Sequence, residues 1–346
     1  MRADCVANSP GERGRRIARP DGRAAVTAPF EHGDVLSLDG VRSAQTRIGS
    51  HVRRTATVRS HGLSELLGTN VYLKLEMFQK TGAFKVRGAF NKMLTLTARQ
   101  KRGGIVAASA GNHAQAVAFA ARELAMRAVI MMPESTPRNY LNATRAYGAK
   151  VCLVDSLSDA FVRVPEYQAR GWTYIHPFAD PLVIAGQGTL GLEILDDVPD
   201  LTDVIVSIGG GGLAGGVALA IKPQRPAVRV WGVETVGADA MAQALSAGRV
   251  VELAQATSVA HTLCAPAVAE TTLALAQQYL EDVVVVSDRD ALAALRFLLE
   301  REKVLTEAAS SCTLAAAELL RNSFTSDDHV VLVLCGGNVA LEEIIA

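Results

Sequence analysis

Aromatic side chains make up only 5% of this 346-residue chain, and neither sign of charge is in excess: Lys+Arg and Asp+Glu each number 35, for a formal net charge of +0. A surface balanced in this way gives no electrostatic reason to expect nucleic acid or an anionic membrane as partner, because both are recognised through an excess of Lys and Arg. No apolar run approaches the roughly 20 residues of a membrane span. The five cysteines, Cys5, Cys152, Cys264, Cys312 and Cys335, are scattered and form no CxxC pair. Neither a disulfide framework nor a zinc site is therefore supported, and a reducing, cytoplasmic setting is expected. The opening MRADCVANSPGERGRRIARP lacks the apolar core of a secretory signal, and its Asp4 and Glu12 do not suit an Arg-rich transit peptide. Residues 1 to 33 read as a disordered extension or a mis-chosen start codon. These exclusions leave a small molecule as the expected partner.

From Asp34 onward, helices alternate with short apolar strands. Leu38, Val41, Ala44 and Ile48 fall at helical spacing, and NVYLKLE alternates Val71, Leu73 and Leu75 as a strand does. Further strands are expected at GGIVAAS, AVIMMP, KVCLVD, WTYIH, TDVIVSI, VRVWGVE, Val283 to Val286 and HVVLVLC. Helices are expected at NHAQAVAFAARELA, TPRNYLNATRAYGA, QGTLGLEILDD and DALAALRFLLEREK. Such alternation predicts an α/β architecture with parallel sheets covered on both faces. Ligands of such sheets bind beyond the carboxyl ends of the strands. The loops SAGNH, GGGGLAGG and CGGN all lie there.

Four glycines in a row, Gly209, Gly210, Gly211 and Gly212, follow one strand and open a helix. Successive backbone N-H groups can curl there into an anion nest, and the helix terminus adds partial positive charge, so a phosphate fits without Lys or Arg. A tight turn alone needs one or two glycines. Gly210, Gly212 and Gly215 also satisfy GxGxxG, with Glu234 roughly 20 residues on, so a dinucleotide site stays open at this point. In KTGAFKVRGAFNKM, Lys85 stands at a helix start with Lys80 and Arg87 as cationic neighbours. Partial burial and nearby positive charge would lower its pKa as imine formation requires, although an exposed lysine on a basic helix has the same local sequence. In SAGNHAQAVAFAA, the N-H groups from Ser109 to His113 suit a carboxylate and Asn112 can donate to a ring oxygen. Ser109 or Asn112 as a helix cap and His113 as a core histidine remain the alternatives.

Together, GAFKVRGAFN, SAGNHAQAVA, GQGTLGLEIL, GGGGLAGG and CGGN resemble the serine/threonine dehydratase and serine racemase family of fold-type-II pyridoxal-phosphate enzymes. The resemblance runs from about residue 34 to the C-terminus. It implies a tryptophan synthase β-like fold of two parallel-sheet domains with pyridoxal 5'-phosphate in the cleft between them. Residues 34 to 100 and 174 to 346 would form the large domain and residues 104 to 173 the small one. Lys85 would hold the cofactor as an imine, with Phe84 near the ring, Asn112 on the 3'-oxygen, Gly209 to Leu213 on the phosphate, Glu307 near the ring and Cys335 facing its nitrogen. Ser109, Ala110, Gly111, Asn112 and His113 would hold the substrate carboxylate, flanked by a loop carrying Gly186. The implied reaction is loss of water and ammonia from a small L-3-hydroxy amino acid by a homodimer or homotetramer. An amino-acid racemase or β-replacement enzyme is the alternative on this scaffold. A nicotinamide-dependent oxidoreductase or a non-catalytic binding protein fits the motifs less well.

The chain departs from that family in several places. A family cation site is matched by Glu234 and Ala238 but not by Ala240, so no metal is expected. Tyr140 stands where Lys is common, Cys335 where Ser is common, Ala308 where Pro is common, and Ala56 replaces the usual Pro of RTP. The chain is expected to lack the C-terminal regulatory domain of feedback-inhibited relatives and so to serve a catabolic or unregulated role.

Ala110 separates elimination from racemisation. Inversion at Cα requires an acid-base group on each face of the carbanion. Racemases of the family resemble one another in a serine at this position, and a methyl group can neither give nor take a proton. The protein is therefore expected to form 2-oxo acid from L-serine with negligible D-serine, and Ala110→Ser to begin racemising it. Chiral chromatography of the reaction checks this, and substantial D-serine from the unmodified protein would overturn it.

Overall fold

Apolar strands too short to bury themselves gather into two sheets, each covered by helices. The computed structural model describes Arg15–Arg16 and residues 34 to 340. Its strands are β1 (Arg15–Arg16), β2 (Thr57–Ser60), β3 (Asn70–Leu75), β4 (Ile105–Ala108), β5 (Ala128–Pro133), β6 (Lys150–Val154), β7 (Thr173–Tyr174), β8 (Asp203–Ser207), β9 (Arg229–Thr235), β10 (Asp282–Val286) and β11 (His329–Leu334). One sheet has the order β1-β10-β9-β8-β11-β3-β2 and the other β6-β5-β4-β7. Every pairing is parallel except at the two edges of the larger sheet, where β1 and β2 run antiparallel to their neighbours.

The parallel strands are the expected ones, and burial on both faces explains their unbroken apolar character: β4, β5, β8 and β10 are buried at every residue. Strand β2 has no comparable pattern. Its sequence TVRS carries one apolar residue, Val58, which is exposed, so backbone pairing with β3 alone makes it a strand. The expected disordered extension lies outside the described residues, as does Cys5, except that Arg15 and Arg16 pair with Val285 and Val284.

The helix Ala308–Leu319 also lacked a sequence signal. It is buried from Ala308 to Ala317 and built mostly of Ala, Ser and Cys, so no polar face marks a 3.6-residue period. The helix Pro181–Asp197 begins six residues before the expected QGTLGLEILDD, because Asp180 Oδ1 accepts from Leu182 N at 2.8 Å and Pro181 suits a first helical position. This helix corrects one expectation. Gly186 stands inside it and not in a loop beside substrate, and a Cβ there would lie 2.7 Å from the Arg87 carbonyl oxygen. Its lack of a side chain lets the helix press against the helix Val86–Leu94.

Those two helices are joined by buried charge. Arg87 is fully buried, and its guanidinium donates to Glu76 Oε1 and Glu193 Oε1 at 2.7 Å each. Lys74, also fully buried, donates to Glu193 Oε2 at 2.7 Å and to the Thr55 carbonyl at 2.8 Å. Burial opposes ionisation of Glu76, but Arg87 outweighs it and holds the carboxyl below its usual range. Deleting one partner strands the others without water, which typically costs about 3–5 kcal/mol. Arg87→Leu is accordingly expected to lower the unfolding free energy in urea by about that amount; an unchanged transition midpoint would show that the cluster does not hold the helices.

Candidate active site

A cavity of about 710 Å³ opens beyond the carboxyl ends of β4, β8 and β11. The loops that follow these strands reach it together. Of the residues singled out from the sequence, Phe84, Lys85, Ser109, Ala110, Gly111, Asn112, His113, Gly209, Gly210, Gly211, Gly212, Leu213, Glu307 and Cys335 all line it, and Gly186 does not.

Lys85 immediately precedes the helix Val86–Leu94, and its Nζ donates to the Pro177 carbonyl at 2.8 Å. Burial in the cleft lowers its pKa to about 8, against the opposing influence of Cys335 and Glu307. Of the two expected causes, burial operates and positive charge from Lys80 and Arg87 does not. Arg87 is neutralised by Glu76 and Glu193, while Lys80 Nζ sits 6.0 Å from the Phe119 ring. Phe84 N donates to the Cys335 carbonyl at 3.0 Å, which ties the lysine to the end of β11.

The glycine loop needs its glycines for space as well as conformation. Gly211 adopts φ +89°, and a Cβ on Gly210 would lie 2.1 Å from the Phe178 ring. Helix Gly212–Ile221 starts within the loop, so its free N-H groups and dipole face the cavity. The dinucleotide reading loses its acid here. Glu234, fully buried, accepts from Met241 N at 2.9 Å and Ala242 N at 2.8 Å, and so caps the helix Ala240–Ala247.

Asn112 and Glu307 form the floor. Asn112 Nδ2 donates to Glu307 Oε1 at 2.8 Å, and Asn112 Oδ1 accepts from Asn338 Nδ2 at 2.8 Å. Thr262 Oγ1 donates to the same carboxylate at 3.2 Å, and the Tyr140 hydroxyl, which donates to the Asn338 carbonyl, lies 3.4 Å from Glu307 Oε2. Cys335 Sγ is 3.1 Å from Ser310 Oγ, and burial pushes its thiol well above the usual range, so it stays neutral. His113 is also neutral: burial first, then Lys85, lowers its pKa to about 3, and its Nε2 meets the Ile175 carbonyl at 2.8 Å. Thr262, Ser310, Pro177 and Phe178 were not foreseen. They lie in stretches with no motif; Thr262, Pro177 and Phe178 line the cavity, and Ser310 meets it only through Cys335.

The residues present fit pyridoxal phosphate. An amine of lowered pKa, a glycine loop in which a Cβ would collide with Leu263, Phe178 or Thr272, and a neutral thiol are gathered in one cavity. Two buried polar atoms, Thr136 Oγ1 and His113 Nδ1, have no hydrogen-bond partner, and both residues line that cavity.

Comparison with known proteins agrees. The family model described as pyridoxal-phosphate dependent enzyme matches residues 48–336. An L-threonine ammonia-lyase of Thermotoga maritima is 40% identical over 309 residues, which cover 88% of this chain and 76% of the relative. A catabolic L-threonine dehydratase of Staphylococcus aureus is 37% identical over 323 residues, covering 92% and 93%. The structure of maize serine racemase superposes with a TM-score of 0.85 at 35% identity, covering 89% of this chain and 95% of that one.

Among the described residues no group of three or more His, Cys, Asp or Glu side chains could hold a metal ion. With Glu234 turned onto Met241 and Ala242, a divalent cation has a poor set of oxygen ligands. Chelation is expected to leave most of the turnover intact. A loss restored by magnesium or calcium would overturn this.

Proposed function

The chain belongs to the pyridoxal-phosphate dependent enzymes, and from that premise we propose that it is a threonine/serine-type ammonia-lyase, converting a small L-3-hydroxy amino acid to a 2-oxo acid and ammonia. One observation carries the reading: Lys85, with its pKa lowered to about 8, shares a cavity with the glycine nest and with a substrate loop bearing Ala110. When bound, the cofactor supplies an electron sink for negative charge at Cα.

The chain's own residues do the rest. Lys85 would anchor the cofactor aldehyde, and its amine, when free, would be the base that takes the Cα proton; a pKa of about 8 leaves part of it neutral at physiological pH. Backbone N-H groups from Gly209 to Leu213 would hold the phosphate. Asn112 keeps one amide hydrogen on Glu307 and has a second for the ring oxygen. Cys335, a neutral thiol on the cavity wall, would face the ring nitrogen without ionising it. The loop from Ser109 to His113, at the start of the helix Asn112–Glu123, would hold the substrate carboxylate, although Ser109 N itself is bonded to the Met131 carbonyl at 3.1 Å. Loss of the β-hydroxyl together with one proton, balanced by the Cα proton that Lys85 takes up, would give water and an enamine, and hydrolysis of the enamine would give the 2-oxo acid and ammonia.

Racemisation on the same scaffold lacks its second acid. Ala110 carries no hydroxyl, and His113 has no extra proton to return at physiological pH. The four described cysteines are free, which suits a reducing cytoplasm. Assembly as a homodimer or homotetramer belongs to the same proposal.

A coupled assay across L-threonine, L-serine, 3-hydroxyaspartate and 3-phenylserine tests the activity. We expect 2-oxobutanoate from threonine and pyruvate from serine. Lys85→Ala should abolish both turnover and the borohydride-reducible link to the cofactor. Retention of both by that variant would overturn the assignment of Lys85.

A further inference from the structure

His176 was not singled out by any motif, and it makes no contact that the elimination itself requires. It sits just past β7, at the start of a turn that touches the site twice. The Pro177 carbonyl accepts from Lys85 Nζ at 2.8 Å. The Phe178 ring closes over the glycine loop, so tightly that a Cβ on Gly210 would lie 2.1 Å from it and one on Gly212 2.8 Å from the Phe178 carbonyl oxygen.

A single atom shapes that turn. His176 Nδ1 accepts from Phe178 N at 3.2 Å and from Ala179 N at 2.9 Å. Both donors are backbone N-H groups, so Nδ1 must carry its lone pair and the ring proton must sit on Nε2. We propose that His176 is a positioning residue for Lys85: its Nδ1 holds the His176 to Ala179 turn so that Pro177 receives the Lys85 amine and Phe178 backs the phosphate nest. The proposal rests on Lys85 being the cofactor lysine.

The surroundings keep that acceptor available. Burial, and after it the charge of Lys85, lower the His176 pKa to about 4 against the pull of Asp180, so the ring is neutral at physiological pH. The ring also packs among aromatics, with Phe178 at 4.7 Å, Tyr174 at 5.5 Å and Phe161 at 6.5 Å between centroids. Aromatic packing alone would be served equally well by phenylalanine. The acceptor would be served by asparagine, whose Oδ1 takes the place of Nδ1, as in the side-chain turns that Asn forms with backbone N-H groups two residues on.

The two roles therefore separate by substitution. In H176F, packing survives and the acceptor is lost; the dissociation constant for pyridoxal phosphate is expected to rise and kcat to fall, each by about tenfold or more, with KM for L-threonine changed by less than about threefold. H176N should recover most of both losses, and H176Q, whose carbonyl reaches the position of Nε2 instead, should not. If H176F does not fold, the comparison of H176N with H176Q decides the matter. Cofactor affinity and kcat unchanged in H176F, or H176N no better than H176F or H176Q, would overturn the proposal. Borohydride trapping and peptide mapping of the unmodified holoenzyme distinguish this from failure of the functional reading, since cofactor trapped on a lysine other than Lys85 would remove the premise itself.

Discussion

Two carboxylates closed around one buried guanidinium set where Lys85 stands. Arg87 lies two residues after Lys85 and is gripped by Glu76, from the turn after β3, and by Glu193, from the helix Pro181–Asp197; Lys74 on β3 completes the charge balance. Coulomb attraction at this depth is large only because water is absent, and for the same reason an unpaired member is costly. The four elements must therefore keep one relative arrangement. Gly186 and Gly88 permit the close helix contact that this arrangement demands, since a Cβ on Gly88 would lie 2.4 Å from the Gln187 side chain.

Burial, not neighbouring charge, sets the protonation states in the cleft. It lowers Lys85 to about 8 and His113 to about 3, and it pushes the Cys335 thiol up. Each shift favours the neutral form, as desolvation does for acids and bases alike. In the proposed chemistry a neutral amine would serve as base, and a neutral thiol would leave the ring nitrogen without a counter-ion. The ionised groups of the Arg87 cluster do not line the cavity, and each is satisfied by its own partner. Charge that holds the fold and neutrality that suits the chemistry are thus separated within a few residues of one another.

The floor of the cavity shows how distant segments share a site. Glu307 is reached by Asn112 from the start of one helix, by Thr262 from a loop and by Tyr140 from the helix Arg138–Ala146. The first and last of these come from the part of the chain that builds the four-stranded sheet, and Glu307 itself caps a helix packed on the seven-stranded one. Hydrogen bonds of this kind link the two sheets across the cavity.

Much of this was legible in the sequence because local physics makes it so. Strands buried on both faces must be continuously apolar, so β4, β5, β8, β10 and β11 announce themselves. Loops at their carboxyl ends must be rich in glycine and small polar residues if a ligand is to approach the backbone, so SAGNH, GGGGLAGG and CGGN mark the site. Other features were decided only in three dimensions. An edge strand such as β2 exists by pairing, and the helix Ala308–Leu319 is apolar all round because it is buried all round. Gly186 was misplaced because a glycine in a helix and a glycine in a loop are alike until a second helix presses on one of them. The direction in which Arg87 points, the burial that lowers Lys85, and the meeting of His176, Pro177 and Phe178 with the lysine and the glycine nest depend on contacts between residues far apart in the chain. No local pattern encodes such contacts, since each partner is chosen by the packing of the whole and not by its neighbours in sequence.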